Sequence, residues 1–142
     1  MAEGGGARFQ AEPTASNHFA WLNTQMAVQR TLMAGVRTGV ALIGFGFTVA
    51  QFFERVQGKV PLAEQLSPAA PRNLGLTLIT AGVALIGLFI WQYHGMSAYL
   101  WSDAFRMLAG VGGRRRISGP YFAAWVVMLV GLAAFVSVFM HF

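Results

Sequence analysis

The sequence contains no cysteine among its 142 residues. Disulfides and thiolate metal ligands are excluded, and cysteine usage says nothing about redox compartment. Charge is scarce as well. Ten basic and five acidic side chains make up 11% of the chain, against about 25% in a typical soluble domain. That is too few to cover a water-facing surface. The N-terminal stretch MAEGGGARFQAEPTASN carries Glu3 and Glu12, three consecutive glycines and no apolar core. It lacks the make-up of a cleavable signal peptide and is expected to be a disordered tail over residues 1–16.

What is abundant is apolar. Hydrophobic residues make up 56% of the chain and concentrate in three runs, approximately 32–53, 74–96 and 121–142. Each is about the 20 residues a helix needs to cross a hydrocarbon core. Unbroken runs of this length are not barrel strands. The expected fold is all-α: an integral membrane protein with three transmembrane helices filling residues 17–142. No proline falls between His18 and Arg55, so the first helix is expected to start near Ser16 or Asn17 and outrun the membrane. The second is expected to begin after Pro71, with Asn73 as a cap, and to run to Leu108, ahead of Gly110, Gly112 and Gly113. Ser118 and Pro120 are placed to open the third. Helices 1 and 2 would then project into the cytoplasm, with Asp103 and Arg106 paired on a solvated extension.

Basic residues orient the chain. Arg55, Lys59 and Arg72 lie in the first loop, partly offset by Glu54 and Glu64, whereas Arg8, Arg30 and Arg37 lie toward the N-terminal side and Arg106, Arg114, Arg115 and Arg116 in the second loop, the more basic pair of segments. Three crossings put these on one side. The positive-inside rule makes that side cytoplasmic and the C-terminus external. The net charge of +5 then concerns orientation and anionic lipid, not nucleic acid.

Arginine at positions 30 and 37 raises the main question, because an intramembrane arginine is costly. Seven residues is two helical turns, so the two share a face. Asn23, Arg30, Arg37, Gly44 and Gln51 recur at this spacing, with Ala27, Ala34, Ala41, Thr48 and Arg55 between them. The opposite face holds Val28, Leu32, Leu42 and Phe53 with Gly35, Gly39 and Gly46, glycines that allow close approach of another helix. Helix 2 carries a similar row: Asn73, Thr80, Gly87 and His94, interleaved with Thr77, Ala84, Trp91 and Ala98. Two readings stay open. Small and hydroxylated rows serve ordinary membrane-helix packing, with the arginines reaching back to lipid phosphates. Alternatively, Asn23, Arg30, Arg37 and Gln51 line a basic path, which needs several copies to close.

Other signals are weaker. GVGGRRR reads as an anion nest or as a lipid anchor through Arg114, Arg115 and Arg116. No two histidines have ligand spacing, so no metal or cofactor is expected. Neither a nucleophile with its base nor paired carboxylates occur within the apolar runs, so the chain does not read as an enzyme. Trp21, Trp91, Trp101 and Trp125 read as interfacial belt or packing residues.

The stretch Arg30-Thr31 to Arg37-Thr38, followed by Ala41-Leu42-Ile43-Gly44-Phe45-Gly46, resembles the YidH family of small bacterial inner-membrane proteins. Both Arg-Thr pairs are kept. Gln29 stands where that family has an acidic residue, and Gly35 where it has an aromatic one. The domain is similar to the membrane part of the vacuolar transporter chaperone complex, which makes polyphosphate and passes it across a membrane. That resemblance implies a multi-pass inner-membrane location and anion-facing roles for Arg30 and Arg37. It does not carry the polymerase. The expectation is a homo-oligomeric pore or translocation module for an anionic species. The alternative is an accessory subunit of a larger membrane complex. Membrane lipids are partners in either case.

Overall fold

A computed structural model describes residues 12–56, 69–102, 105, 107–109 and 118–140. Regular structure among them is entirely helical: α1 (Ala15–Val56), α2 (Ala69–Leu100) and α3 (Gly119–Met140). All three are long and apolar enough to cross a membrane. The GVGGRRR segment, Asp103, Arg106, residues 1–11 and His141 lie outside the described residues.

The helix ends depart from the sequence expectation. α1 starts at Ala15, ahead of Ser16 and Asn17, because Thr14 is the cap. Its Oγ1 accepts the Asn17 N–H at 3.2 Å, meeting one of the donors a helix start leaves open. α2 begins at Ala69, before Pro71. A proline in the first turn removes no intrahelical bond. α2 also stops at Leu100, not Leu108. The Trp101 N–H still reaches the Ser97 carbonyl, but tight turns then bring Ser102 onto Tyr99, Phe105 onto Ser102 and Leu108 onto Phe105. α3 opens as expected: the Ser118 carbonyl accepts from Tyr121 and Phe122, and Pro120 lies in the first turn.

α1 and α2 share the most extensive contact, and α3 lies against both. Two reciprocal glycine pairs set the α1–α2 approach. A Cβ on Gly46 would lie 2.7 Å from the Gly75 carbonyl, and one on Gly75 would lie 2.8 Å from the Gly46 carbonyl. Gly39 and Gly82 face each other in the same way, at 3.0 and 2.7 Å. Seven residues forward along α1 therefore match seven back along α2, an antiparallel pair in heptad register. Phe89 covers Gly35. α3 enters the groove through Ala124, Gly131 and Val138, all buried at intervals of seven. A Cβ on Gly131 would meet Ile43 Cδ1 at 2.6 Å and Val83 Cγ2 at 2.9 Å. Leu32, Ile79, Ile86 and Val138 are fully buried in this core. Truncating such a side chain to alanine costs about 2–5 kcal/mol in a packed interior.

A second, smaller cluster lies at the start of α1, where Trp21, Leu100 and Leu108 are buried with Trp101 and Phe105 packed on them. The Trp21 indole N–H donates to the Leu100 carbonyl at 3.0 Å, and His18 Nδ1 donates to the Leu108 carbonyl. The first satisfies a carbonyl that the end of α2 leaves open, and the second ties the turn at Leu108 to α1. Trp21 and Trp101 meet edge to face at 5.5 Å and are packing residues. Trp91, 75% exposed, is free to serve as a belt residue.

Candidate functional site

The heptad row of α1 is turned away from α2 and α3. Asn23, Arg30, Arg37 and Gly44 are exposed and Gln51 is half-buried. Ala27, Ala34, Ala41, Thr48 and Arg55 beside them are also exposed. Leu32, Gly35, Val36, Gly39, Ile43, Gly46 and Ala50 are buried on the opposite side. The reason is geometric: α2 claims the glycine side, and the polar row lies about half a turn round the helix from it. Among the described residues, neither Arg30 nor Arg37 has a hydrogen-bond or ion-pair partner. The outward row thus presents two unpaired cations about 10 Å apart along the axis.

The hydroxyls near this row are committed locally. Thr48 donates to the Gly44 carbonyl at 2.8 Å, and Thr24, Thr31 and Thr38 each donate to the carbonyl four residues earlier. Such back-bonding satisfies a hydroxyl without a neighbour. It leaves the arginines, Asn23 and Gln51 as the polar groups of the row that have no such local bond. On α2, Asn73, Thr80 and His94 are exposed and Gly87 is half-buried. Thr77 and Thr80 again bond back to their own helix. The two rows lie on separate helices. Gly35, Gly39 and Gly46 face α2. Arg114, Arg115 and Arg116 lie outside the described residues.

Several polar features carried no signal in the sequence. Tyr93 Oη and Ser118 Oγ lie 2.7 Å apart and tie α2 to the entry of α3. Gln25 Oε1 and Arg72 Nε are buried without a hydrogen-bond partner among the described residues. A cleft of about 340 Å³ opens between Trp21, Thr24, Leu100 and Phe105. Each arises from residues far apart in the chain, where local spacing says nothing.

The pattern of a family described as a domain of unknown function, DUF202, matches residues 20–99, from the first turns of α1 to the last turn of α2. The match covers more than half of the 142 residues, and the chain belongs to this family. No curated protein and no solved structure matches it.

Proposed function

We propose that the chain is a multi-pass inner-membrane protein whose copies assemble around the outer face of α1, where Arg30 and Arg37 line a path for an anionic species. The observation that carries this reading is the pair of unpartnered arginines on the one face of α1 that its own bundle leaves open. The resemblance of the Arg-Thr repeats to the YidH family, and to the vacuolar transporter chaperone membrane domain, supports the same assignment. The N-terminus is cytoplasmic and the C-terminus external, by the excess of basic residues on the first side.

The packing of α3 gives the depth of each arginine in this reading. Its 22 residues span about 33 Å, slightly more than the roughly 30 Å of hydrocarbon. Gly131 lies about 2 Å past its midpoint and touches Ile43, so Ile43 lies near the mid-plane. Arg37 comes six residues earlier, about 9 Å along the axis, which puts it about 8 Å inside the hydrocarbon boundary. Arg30 falls close to the boundary itself. A lone arginine on lipid costs about 2.5–3.5 kcal/mol or more at the bilayer centre, and Arg37 at its depth bears part of that cost. Water and anions in a shared lumen offset that cost.

The test is anion flux through purified protein in liposomes. Arg37→Lys retains flux, and Arg37→Glu abolishes it or reverses its ion preference. Unchanged flux in Arg37→Gln would remove the lining role. A second reading, an accessory subunit, draws on α2. A Cβ on Gly87 meets nothing within 4 Å, so this glycine answers no need inside the chain and suits close approach by another protein. Purification separates the two: a homo-oligomer supports the path, and a fixed heteromeric stoichiometry supports the subunit.

A further inference from the structure

The cleft beside Trp21 takes no part in the proposed path. It encloses about 340 Å³ over an apolar floor of Trp21, Leu100, Phe105 and Leu108. Ala20 and Thr24 line it from α1 and are exposed. Asn17 stands at the end nearest the start of α1. From this cleft and the path of the chain that enters it, we infer that it is the docking site for the protein's own N-terminal segment, with the Phe9 ring seated beside Ala20 and Trp21.

Four points argue for this occupant. The first is depth. Thr24 and Asn17 precede Ile43 by 19 and 26 residues, about 28 and 39 Å along the axis. With Ile43 near the mid-plane, both lie outside the roughly 20–22 Å half-thickness that includes the headgroups. Lipid chains do not reach the cleft, and an apolar floor opening onto water favours an apolar occupant.

The second is the direction of the chain. The Glu12 carbonyl accepts a bond from the Asn17 side-chain Nδ2 at 2.9 Å and from the Thr14 N–H at 2.8 Å. These bonds hold the chain against Asn17 before the helix begins. Residues 1–11 therefore join the described chain at a wall of the cleft.

The third is reach. Three residue steps separate Phe9 from Glu12, at most about 11 Å of extended chain. The cleft extends along α1 from Asn17 to Thr24, seven residues or about 10.5 Å. Phe9 thus reaches its whole length.

The fourth is chemistry. Met1 and Phe9 are the large apolar side chains of residues 1–11, and Gly4, Gly5 and Gly6 separate Met1 from Phe9. A phenyl ring fits, since an apolar cavity of about 150 Å³ already holds benzene. Trp21 and Phe105 supply aromatic neighbours, a pairing such rings favour. A short tether also gives Phe9 an effective concentration on the order of mM, so a free partner that needs the cleft must first displace it.

The sequence contains no cysteine, so the full chain can be cross-linked without background. Arg8→Cys with Ala20→Cys should close an intramolecular disulfide faster than Arg8→Cys with Ser16→Cys, although Ser16 is nearer in sequence and also exposed. Adding Phe9→Ala should slow the first pair about tenfold or more, the fold-change expected for losing a buried phenyl ring, and should not slow the second. Phe9→Leu should keep most of the rate. Access gives a second readout: a water-soluble maleimide should label Ala20→Cys about tenfold faster when Phe9→Ala is added. A faster Ser16 pair with Phe9 in place, or no effect of Phe9→Ala on either readout, would overturn the docking. A disulfide formed mainly between chains would also overturn it and assign the cleft to a second copy. None of these readouts uses anion flux, so the docking and the path stand or fall separately.

Discussion

Gly46→Ala is the smallest change that tests how α1 and α2 are joined. It adds one methyl group where a Cβ would lie 2.7 Å from the Gly75 carbonyl and 2.8 Å from Leu78 Cβ. Ordinary contact for a Cβ begins near 3.4 Å, so the shortfall is 3.4 − 2.7, about 0.7 Å. The opposing atom belongs to a helix backbone and cannot rotate away, so the helices must separate. Separation also loosens the facing Gly39–Gly82 pair two turns away. An overpacked methyl in a tight interior costs about 1–3 kcal/mol, and here the wider spacing weakens dispersion attraction along the whole interface. Gly44→Ala is the control, because a Cβ there meets nothing within 4 Å and alanine favours the helix. Unfolding in mixed micelles, followed by circular dichroism against the mole fraction of denaturing detergent, reads both. Gly46→Ala should lower the unfolding midpoint by an amount equivalent to about 5- to 150-fold in stability at 1.4 kcal/mol per decade, and Gly44→Ala should not. Equal midpoints for the two variants would refute the claim that backbone contact sets the helix spacing.

Three further outcomes are expected. A membrane-impermeant thiol reagent should modify Gly44→Cys and spare Val130→Cys, which lies at a similar depth on the exposed face of α3; equal protection of both would remove the wet path. Gly46 cannot serve as that control, since any side chain there strikes the Gly75 carbonyl. Trp21→Phe should cost about 0.5–1.5 kcal/mol through loss of the bond to Leu100, read by the same micelle titration, while Trp91→Phe leaves the midpoint unchanged. Reporter fusions at Gly113 and after Phe142 should report opposite sides of the membrane; the same side for both would contradict three crossings.

The three helices were legible because each apolar run is long enough to fold only as a helix. Their ends were less so, for physical reasons that differ. Thr14 displaced Ser16 and Asn17 as the cap of α1, since all three side chains can accept the bond and only the path of the chain selects one. The stop of α2 at Leu100 had no local sign: nothing between Leu100 and Leu108 breaks a helix, and the turns there are held by Trp21 and His18, about 80 and 90 residues away in sequence. The seven-residue spacing along α1 is enough by itself to divide that helix into a glycine side and a polar side. The bonds of Trp21 to Leu100, His18 to Leu108 and Tyr93 to Ser118 join distant residues and left no periodic trace.

The helix α1 runs 42 residues without a proline, about 63 Å. It is braced against α2 at two glycine rungs near its middle and held again near its start by Trp21 and His18. A beam fixed at separated points resists bending. Sharp kinks need proline, paired small residues or an inserted side chain, and along this beam the buried glycines are already filled by α2. Motion of the arginine face is therefore rotation or tilt of the α1–α2 pair as a unit, with leverage set by its length. A tilt of about 5° about Ile43 carries the Phe19 end about 3 Å sideways and Arg37 less than 1 Å. Displacements at the Phe19 end of α1 are thus geared down at the arginines, which makes that end the sensitive place to attach a distance probe.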